Sequence, residues 1–426
     1  MSKGILNRFY TIVRIFFFGL ILSAGCTHDQ VVHIDISKNS CKDDYNPRKV
    51  SVRLTNNTLD IDKCGGIETV VILDSTEMIG SIDKVQVDGD RIYLMDKNKT
   101  KSIFCYTFDG QLKWKYRKPG RGRGKFMQLG DMDVQQHRVY AFDNTAMKIL
   151  QLDSSGRFIQ EMPVANNNAF FPDQFFVDSN GNVVLYNFDM GDYRRFPYEM
   201  TMMDSTCQHI LSYHLLKTHD PSIKRWGSQL SPLQYYAGHT GFYFTKALDD
   251  TIYGYERGVF SRKYVIDFGS SAVPQAVREK TRYTLDDFSH SSYQGGIERI
   301  CENDSLVSFM FSNGNMPSYA FFDKNTLQSR SYSLVMFNID KYYQMLLPIG
   351  SWNGRVIARV EPMQLLHFFQ YYKKINAGLT DEQLDAKVQH EMPVLYAMRQ
   401  RIGTSSNPIL VFLHFSKSKL FPHDRV

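Results

Sequence analysis

A short stretch of the sequence combines residue types that bind anions. Seven lysines and arginines fall within residues 113–125, and three glycines alternate with the last of them. Guanidinium and ammonium groups bind phosphate, sulfate and carboxylate groups, and successive backbone amides of a glycine-rich loop can line an anion-binding concavity. The stretch is therefore a candidate anion-binding loop. Its residues are Lys118, Gly120, Arg121, Gly122, Arg123, Gly124 and Lys125.

The same stretch has a simpler interpretation. Lysines at the edge of a sheet discourage pairing with another chain, so a solvated connection that begins in an edge strand has the same composition. A nucleotide site is disfavoured, because the glycines form no G-x-x-x-x-G-K-[ST] motif and no strand–helix–strand pattern surrounds them. The solvated connection is the favoured interpretation, and the anion site is the alternative.

Histidines are the residues best suited to catalysis or metal binding near neutral pH. In a ring-shaped fold, several could converge with carboxylates on a central channel. The sequence contains no H-E-x-x-H, paired C-x-x-C or G-x-S-x-G motif. We therefore predict no catalytic residue, no metal site and no cofactor. The histidines considered are His137, His209, His214, His219, His239, His290 and His367.

Two acidic segments resemble fragments of calcium-binding loops. Residues 131–133 (DMD) and 178–182 (DSNGN) place oxygen ligands at alternate positions, as calcium loops do. The second segment is also a common hairpin turn, because Asp and Asn tolerate turn geometry and glycine supplies a positive φ. A turn is the favoured interpretation.

The elements that would position these residues repeat along the chain. Residues 91–96 (RIYLMD) recur as residues 138–143 (RVYAFD), and the turn at Asp109-Gly110 recurs at Ser155-Gly156. Each copy predicts four short strands joined by tight turns, which is the pattern of a propeller blade. Further copies are predicted with strands at residues 175–186, 198–203 and 208–213, then 241–245, 251–255 and 263–268, then 297–301, 306–311, 319–323 and 330–334, and last 354–360 and 409–415.

The predicted fold class is all-β, a six-bladed β-propeller of four-stranded antiparallel blades with a short helical insertion near the C-terminus. Seven blades remain an alternative. The propeller is assigned to residues 61–416, and a C-terminal tail to 417–426. The insertion is placed at about residues 379–400, where a capping box begins at Thr380 and apolar residues follow at helical spacing. We also expect an N-terminal strand beside the last strands, since a ring otherwise leaves edges unpaired.

The N-terminus has the layout of a bacterial lipoprotein signal. Basic residues precede an apolar run at residues 15–22, which is too short to span a bilayer, and Ser23-Ala24-Gly25-Cys26 follows. We predict a signal peptide at residues 1–25, lipid attachment at Cys26 and a polar tether at residues 26–60. An ordinary cleaved signal with an incidental cysteine is the alternative. Thr27 lacks the aspartate that retains some lipoproteins at the inner membrane, which favours the outer membrane, on its periplasmic or surface-exposed face.

Five cysteines remain after Cys26, so complete pairing within the chain is excluded. Cys41 and Cys64 flank the polar N-terminal segment and could form a disulfide in an oxidising compartment. Cys105 and Cys301 lie in apolar strand patterns, which are typical of buried thiols.

With the repeat in view, several segments together resemble a known family. They are residues 79–85 (IGSIDKV), 91–96 (RIYLMD), 120–126 (GRGRGKF), 250–253 (DTIY) and 407–411 (NPILV). The chain resembles the six-bladed β-propeller lipoproteins of Bacteroidetes, whose architecture is similar to NHL and TolB-like propellers. The resemblance covers roughly residues 60–416 and implies a fold rather than an activity.

Function is predicted from the anchor, the repeat and the net charge. The formal charge of +6 includes three basic residues of the signal, so the remaining charge is too small to favour a nucleic-acid partner. The leading hypothesis is a binding or scaffolding module at the cell envelope, held to the membrane by its N-terminal lipid, with an unidentified protein or glycan partner. The alternative is a propeller enzyme, a lyase or hydrolase with its site at the central channel.

Overall fold

The fold is described from a computed structural model. The described residues are 46–165, 172–187, 198–216, 233–235, 241–245, 249–256, 258–278 and 285–422. The predicted signal peptide, Cys26 and the first part of the tether lie outside them.

The strands form six sheets, each built around four antiparallel strands, and each sheet is one blade of a ring. Three strands precede the blades: β1 (Arg48–Ser51), β2 (Thr55–Asp60) and β3 (Gly65–Ile72). Blade I contains β4 (Lys84–Asp88), β5 (Arg91–Asp96), β6 (Ser102–Thr107) and β7 (Leu112–Tyr116). Blade II contains β8 (Leu129–Gln135), β9 (Arg138–Asp143), β10 (Lys148–Leu152) and β11 (Phe158–Pro163). Blade III contains β12 (Pro172–Val177), β13 (Val183–Asn187), β14 (Tyr198–Met203) and β15 (Ile210–Leu216).

The second half of the ring follows the same plan. Blade IV contains β16 (Leu233–Tyr235), β17 (Gly241–Thr245), β18 (Thr251–Glu256) and β19 (Val259–Asp267). Blade V contains β20 (Gln294–Glu302), β21 (Leu306–Asn313), β22 (Met316–Asp323), β23 (Ser329–Ile339) and the short β24 (Tyr342–Met345), which pairs with β23. Blade VI contains β25 (Pro348–Trp352), β26 (Arg355–Val360) and β27 (Ile409–Phe415). The prediction of six blades is confirmed, and the sixth opens at Pro348 rather than Gly354.

Middle strands of a blade are buried on both faces, because neighbouring blades pack against each side. In β5 the consecutive residues Ile92, Tyr93, Leu94 and Met95 are all buried. Their apolar, β-branched and aromatic side chains suit a pleated surface that is covered on both sides. The first strand of each blade is innermost, and these strands contact one another around the ring.

The ring is closed by a strand from the N-terminal side of the chain. β3 pairs antiparallel with β27, from Ile72 opposite Ile409 to Gly65 opposite Phe415. Blade VI therefore takes three strands from the C-terminal part of the chain and its outermost strand from the N-terminal part. This pairing was expected from the need to cover an open edge.

β1 and β2 extend the N-terminal contribution around the outside of the ring. β1 pairs parallel with β19 of blade IV, and β2 pairs parallel with β23 of blade V. Val50 and Val52 are buried in the core between blades IV and V, while Leu59 is buried in the core that blade V shares with blade VI. The prediction of a tether as far as residue 60 is therefore wrong for residues 48–60, because their backbone pairs with two blades. We call β1 and β2 the N-terminal strap.

The helical insertion is longer than expected. The helices before it are α1 (Gln275–Arg278) and α2 (Leu285–Ser289), and the insertion itself contains α3 (Pro362–Ile375), α4 (Asp381–Glu391) and α5 (Pro393–Arg399). It lies between β26 and β27, and Thr380 forms the predicted capping box. Sequence periodicity placed its start near residue 379, which missed α3. No helix in the described ranges is long and apolar enough to cross a membrane.

Part of the predicted C-terminal tail packs against the ring. A last helix, α6 (Lys417–Leu420), follows β27, and Leu420 and Phe421 are buried in the core of blades V and VI. The Lys417 ammonium pairs with the buried Asp323 carboxylate at 2.6 Å. The boundary at residue 416 is thus too early, because an apolar side chain and an ion pair hold the next residues.

The aspartates that end the repeated strands β5 and β9 have the same role. Asp96 accepts hydrogen bonds from the amides of Gly80 and Ser81, which lead into β4, and from Lys99 and Thr100 in the following turn. Asp143 likewise binds the amides of residues 127 and 128, and 145 and 146. Burial alone would raise the pKa of Asp96, but hydrogen bonds from Lys99, Ser81 and Thr100 outweigh it and lower the pKa to about 2.

We predict that Asp96→Asn destabilises the ring by about 1.5–3 kcal/mol at pH 7, because an amide cannot accept this set of bonds. The folded-state pKa lies below the unfolded value of about 3.9, so the carboxylate stabilises the fold above that value and loses this effect as the pH falls toward 2. The difference between the two proteins should therefore shrink from pH 5 to pH 2. Urea unfolding at several pH values measures it.

The matched control is Asp304→Asn, at an exposed position, which should change the free energy of unfolding by no more than about 0.5 kcal/mol. A loss in Asp96→Asn that stays constant down to pH 2 would contradict this role for the carboxylate.

Candidate functional site

The glycine-rich basic segment is a compact loop that connects β7 of blade I to β8 of blade II. The Gly120 amide donates to the Phe126 carbonyl at 2.8 Å, and the Phe126 amide donates to Lys118 at 3.1 Å. The Lys125 amide donates to the Gly122 carbonyl at 3.2 Å. The loop therefore closes on itself, and the Gly120 amide that we expected to face an anion is used internally. We call residues 117–125 the basic loop.

Two side chains of blade II hold this loop in place. Lys148 donates to the Gly122 carbonyl at 3.1 Å and pairs with Glu161 at 2.8 Å. Glu161 in turn accepts the Gly124 amide at 3.3 Å. The hydrogen bond from Lys148 is the main cause that lowers the pKa of Glu161. The Gly124 amide thus binds a carboxylate of the chain itself, which neither sequence interpretation included.

The cations of the basic loop project outward. All five side chains are exposed, and within the described ranges none forms an ion pair. Two are held over aromatic rings: Lys118 lies 5.4 Å from the centroid of Tyr116, and Arg123 lies 5.7 Å from that of Phe158. The five are Arg117, Lys118, Arg121, Arg123 and Lys125.

A second cluster of charged residues links the innermost strands of blades I, II and III. Lys84 of β4 pairs with Asp131 of β8 at 2.7 Å, and Gln86 donates to Asp133 at 2.8 Å. Burial lowers the pKa of Lys84, and the nearby Asp131 and Asp133 carboxylates oppose that shift. The arrangement is a buried ion pair with hydrogen bonds on both sides.

The two aspartates also join blade II to blade III. Asp131 accepts the Phe175 amide at 3.1 Å, and Asp133 accepts the Val177 amide at 2.7 Å. These amides lie on the free edge of β12, where no further strand is available, and a buried amide without a partner is costly. Residues 131–133 are therefore part of a strand that caps a neighbouring edge, and they do not form a calcium loop.

The other acidic segment, residues 178–182, is the hairpin turn between β12 and β13, as predicted. Asp178 accepts the amides of Asn180 and Asn182, both at 2.8 Å. No group of three His, Cys, Asp or Glu residues that could hold a metal ion is present in the described part of the chain.

One partly buried carboxylate on an innermost strand has no side-chain partner in the described structure. Glu298 lies on β20, the innermost strand of blade V, where the register shifts on both sides of it. Its side chain has no hydrogen-bond or ion-pair partner among the described residues, and burial raises its pKa, while Arg299 opposes the shift. Tyr319 lies in the same row of the blade through Met310. Sequence reasoning missed Glu298, since no motif marks it.

The histidines do not converge. His137 is exposed in the turn after β8, His209 and His290 are exposed in other turns, and His367 is exposed on α3. His214 is buried on β15, where its ring lies 4.4 Å from Phe260 and its Nε2 lies 2.6 Å from the Ser212 hydroxyl. His219 and His239 lie outside the described residues.

Cys64 is buried, and its Sγ lies 3.5 Å from the Ile61 carbonyl oxygen. Cys41 lies outside the described residues, so the Cys41–Cys64 disulfide stays a prediction. Cys105 and Cys301 are buried thiols, as expected. Burial raises the pKa of the Cys105 thiol to about 11 and that of Cys301 to about 12.

Six blades closed by an N-terminal strand define the class of protein as a six-bladed β-propeller. The profile of the DUF4934 family, described as a domain of unknown function, matches residues 73–414. The chain belongs to this family. No curated protein matches it.

Several solved structures are similar to this chain, and the first of them has the same fold. A crystal structure of a Bacteroides fragilis protein described as exported matches with a TM-score of 0.65 and 16% identity, covering 87% of this chain and 100% of that one. A member of the DUF4221 family from Bacteroides vulgatus matches with a TM-score of 0.42 and 6% identity, over 66% and 91% of the two chains. Virginiamycin B lyase from Staphylococcus aureus matches with a TM-score of 0.37 and 13% identity, over 65% and 80%.

Proposed function

We propose that this protein is an exported, lipid-anchored β-propeller that binds acidic glycans of the cell envelope through the basic loop. One observation carries the proposal: five exposed cations lie on a loop whose backbone is closed and braced, and none forms an ion pair in the described structure. The role is that of a binding module, within the broader expectation of binding or scaffolding.

The bracing matters because binding a charged ligand orders side chains at a cost in entropy. Each flexible side chain that a ligand immobilises reduces affinity, and a preformed loop reduces that cost. Lys148 and Glu161 bind the backbone of the loop, and the aromatic rings of Tyr116 and Phe158 restrict the side-chain conformations of two of its cations. Arginine also binds sulfate and carboxylate with two parallel hydrogen bonds, which gives the loop a preference for planar or tetrahedral anions.

The proposal of export rests on the N-terminal sequence and not on the propeller fold. The basic, apolar and small-residue segments before Cys26 have the order of a lipoprotein signal, and the Bacteroides fragilis structure with the same fold is described as an exported protein. The outer membrane is the proposed location.

The loop is tested by Arg121→Gln combined with Lys125→Gln. Neither side chain makes a hydrogen bond or ion pair in the described structure, so the fold should be unaffected. We expect the exported protein to bind immobilised dextran sulfate, and the double variant to bind about tenfold more weakly, because each exposed ion pair contributes modestly. Binding should weaken steeply with added salt, and unmodified dextran should not bind.

The matched control is Lys63→Gln combined with Arg401→Gln, which removes two exposed charges elsewhere. Equal weakening in both double variants would show a general charge effect and contradict a site at the loop. Turnover of a glycan that Glu298→Gln abolishes would favour the alternative, a propeller enzyme with its acid at the central channel.

The anchor is tested separately. Cys26→Ala removes the thiol that carries the lipid. The protein should then move from the membrane fraction to the soluble fraction, because it lacks the acyl chains that provide durable anchoring. Fractionation and metabolic labelling with a fatty acid measure this. A variant that remains lipid-labelled would refute the assignment of Cys26.

A further inference from the structure

Helix α3 has an exposed apolar stripe on the side that faces away from the ring. Its inner side is buried through Leu365 and Phe369, which pack in the core of blades V and VI. Met363, Tyr371 and Ile375 lie on the outer side, and the last two are 61% and 59% exposed. They are spaced at multiples of four residues, with the exposed His367 between the first two, so they form one stripe about 18 Å long that a single imidazole interrupts.

The charged residues of α3 are all basic. The helix contains no acidic residue, and its last turn carries Lys373 and Lys374. Lys373 pairs with Asp381 at 2.7 Å, whereas Lys374 is exposed and has no ion pair in the described structure. Tyr343 adds a second exposed aromatic ring on β24, a strand tied to the start of α3 by a 2.9 Å hydrogen bond from Gln344 to Gln364.

We infer that this stripe of α3 rests on the surface of the bilayer that carries the anchor. Helices that lie in a membrane interface combine an apolar face with flanking lysines, and tyrosine rings favour the level of the headgroups. Lys374, which has no ion pair in the described structure, complements anionic headgroups. A protein partner of the same stripe would have to cover separated side chains on one convex helix, which offers it no groove.

The inference adds to the proposed function an orientation of the ring, and it rests on that function only for the anchor. Asn46, the first described residue, is twenty positions after Cys26, and the segment between them can span at most about 70 Å. A strand of five or six residues is only about 20 Å long. The anchor therefore allows either end of the ring to reach the bilayer, and the position of α3 indicates the end at which β26 finishes. The basic loop leads into β8 at this same end, so it faces the same surface.

The test measures how close two positions lie to the lipid. Ile375→Cys places a thiol on the stripe. Val259→Cys places one at the start of β19, at the opposite end of the strands, where the side chain is 46% exposed. Both chains carry Cys41→Ser. Cys64, Cys105, Cys207 and Cys301 are buried, so a fluorescent label reacts at the new thiol. The anchored proteins are placed in vesicles of phosphatidylethanolamine and phosphatidylglycerol that contain spin-labelled lipid.

We expect the label at residue 375 to be quenched at least about twofold more than the label at residue 259, because an interfacial helix enters the headgroup region. Tyr371→Ser combined with Met363→Ser should reduce that quenching, whereas Leu211→Ser combined with Ile159→Ser, near the starts of the outer strands β15 and β11, should leave it unchanged. Equal quenching at both positions in vesicle-bound protein would overturn the inference. Failure of the anchor gives a different result, since both labelled chains would then separate from the vesicles on flotation.

Discussion

The pairing of β3 with β27 is the interaction on which the rest of the structure depends. A propeller has a first and a last blade unless its sheets close into a ring, and blade VI would then end in an open edge of seven residues at β27. Because the closing strand comes from the N-terminal side, the two ends of the domain are held in one sheet. The N-terminal strap continues this arrangement by covering the outer edges of blades IV and V with parallel strands.

Closure also explains how the charged residues near the axis are used. Inner strands have a free edge toward the channel, and Asp131 and Asp133 satisfy two amides of that edge in blade III while binding Lys84 and Gln86 of blade I. Removing one partner of a buried ion pair typically costs about 3–5 kcal/mol, so these groups tie three blades into a rigid unit. Recognition then falls to the connections that leave the ring, namely the basic loop and the helical insertion.

Much of this fold could be predicted because the residues that recur in the repeat have the same structural role in each copy. The tyrosine-containing strand recurs with the same spacing, and its terminal aspartate, Asp96 or Asp143, binds the same two turns in both blades. Lys84 and Asp131 are also separated by one repeat length, so a comparison of equivalent positions could have paired them. Reading residues 131–133 in isolation instead suggested a loop, since local sequence does not show which edge a carboxylate caps.

The N-terminal strap and the bracing of the basic loop could not be predicted for a different reason. β2 has the sequence TNNTLD, which is polar and mostly exposed, and its strand conformation depends on β23, more than 250 residues away. Likewise, Glu161 and Lys148 meet the glycine loop only after blades I and II have packed. Long-range pairing of this kind leaves no periodic signal in the segment itself.

Urea unfolding of chains that begin at residues 46, 62 and 74 tests the central claim, that the N-terminal segment closes and secures the ring. The chain from residue 46 should unfold in one transition, and the chain from residue 62 should unfold in one transition at lower urea, because it keeps β3 but lacks the strap. The chain from residue 74 should fail to form a cooperatively folded ring. If the chain from residue 74 were as stable as the chain from residue 46, closure by β3 would be contradicted.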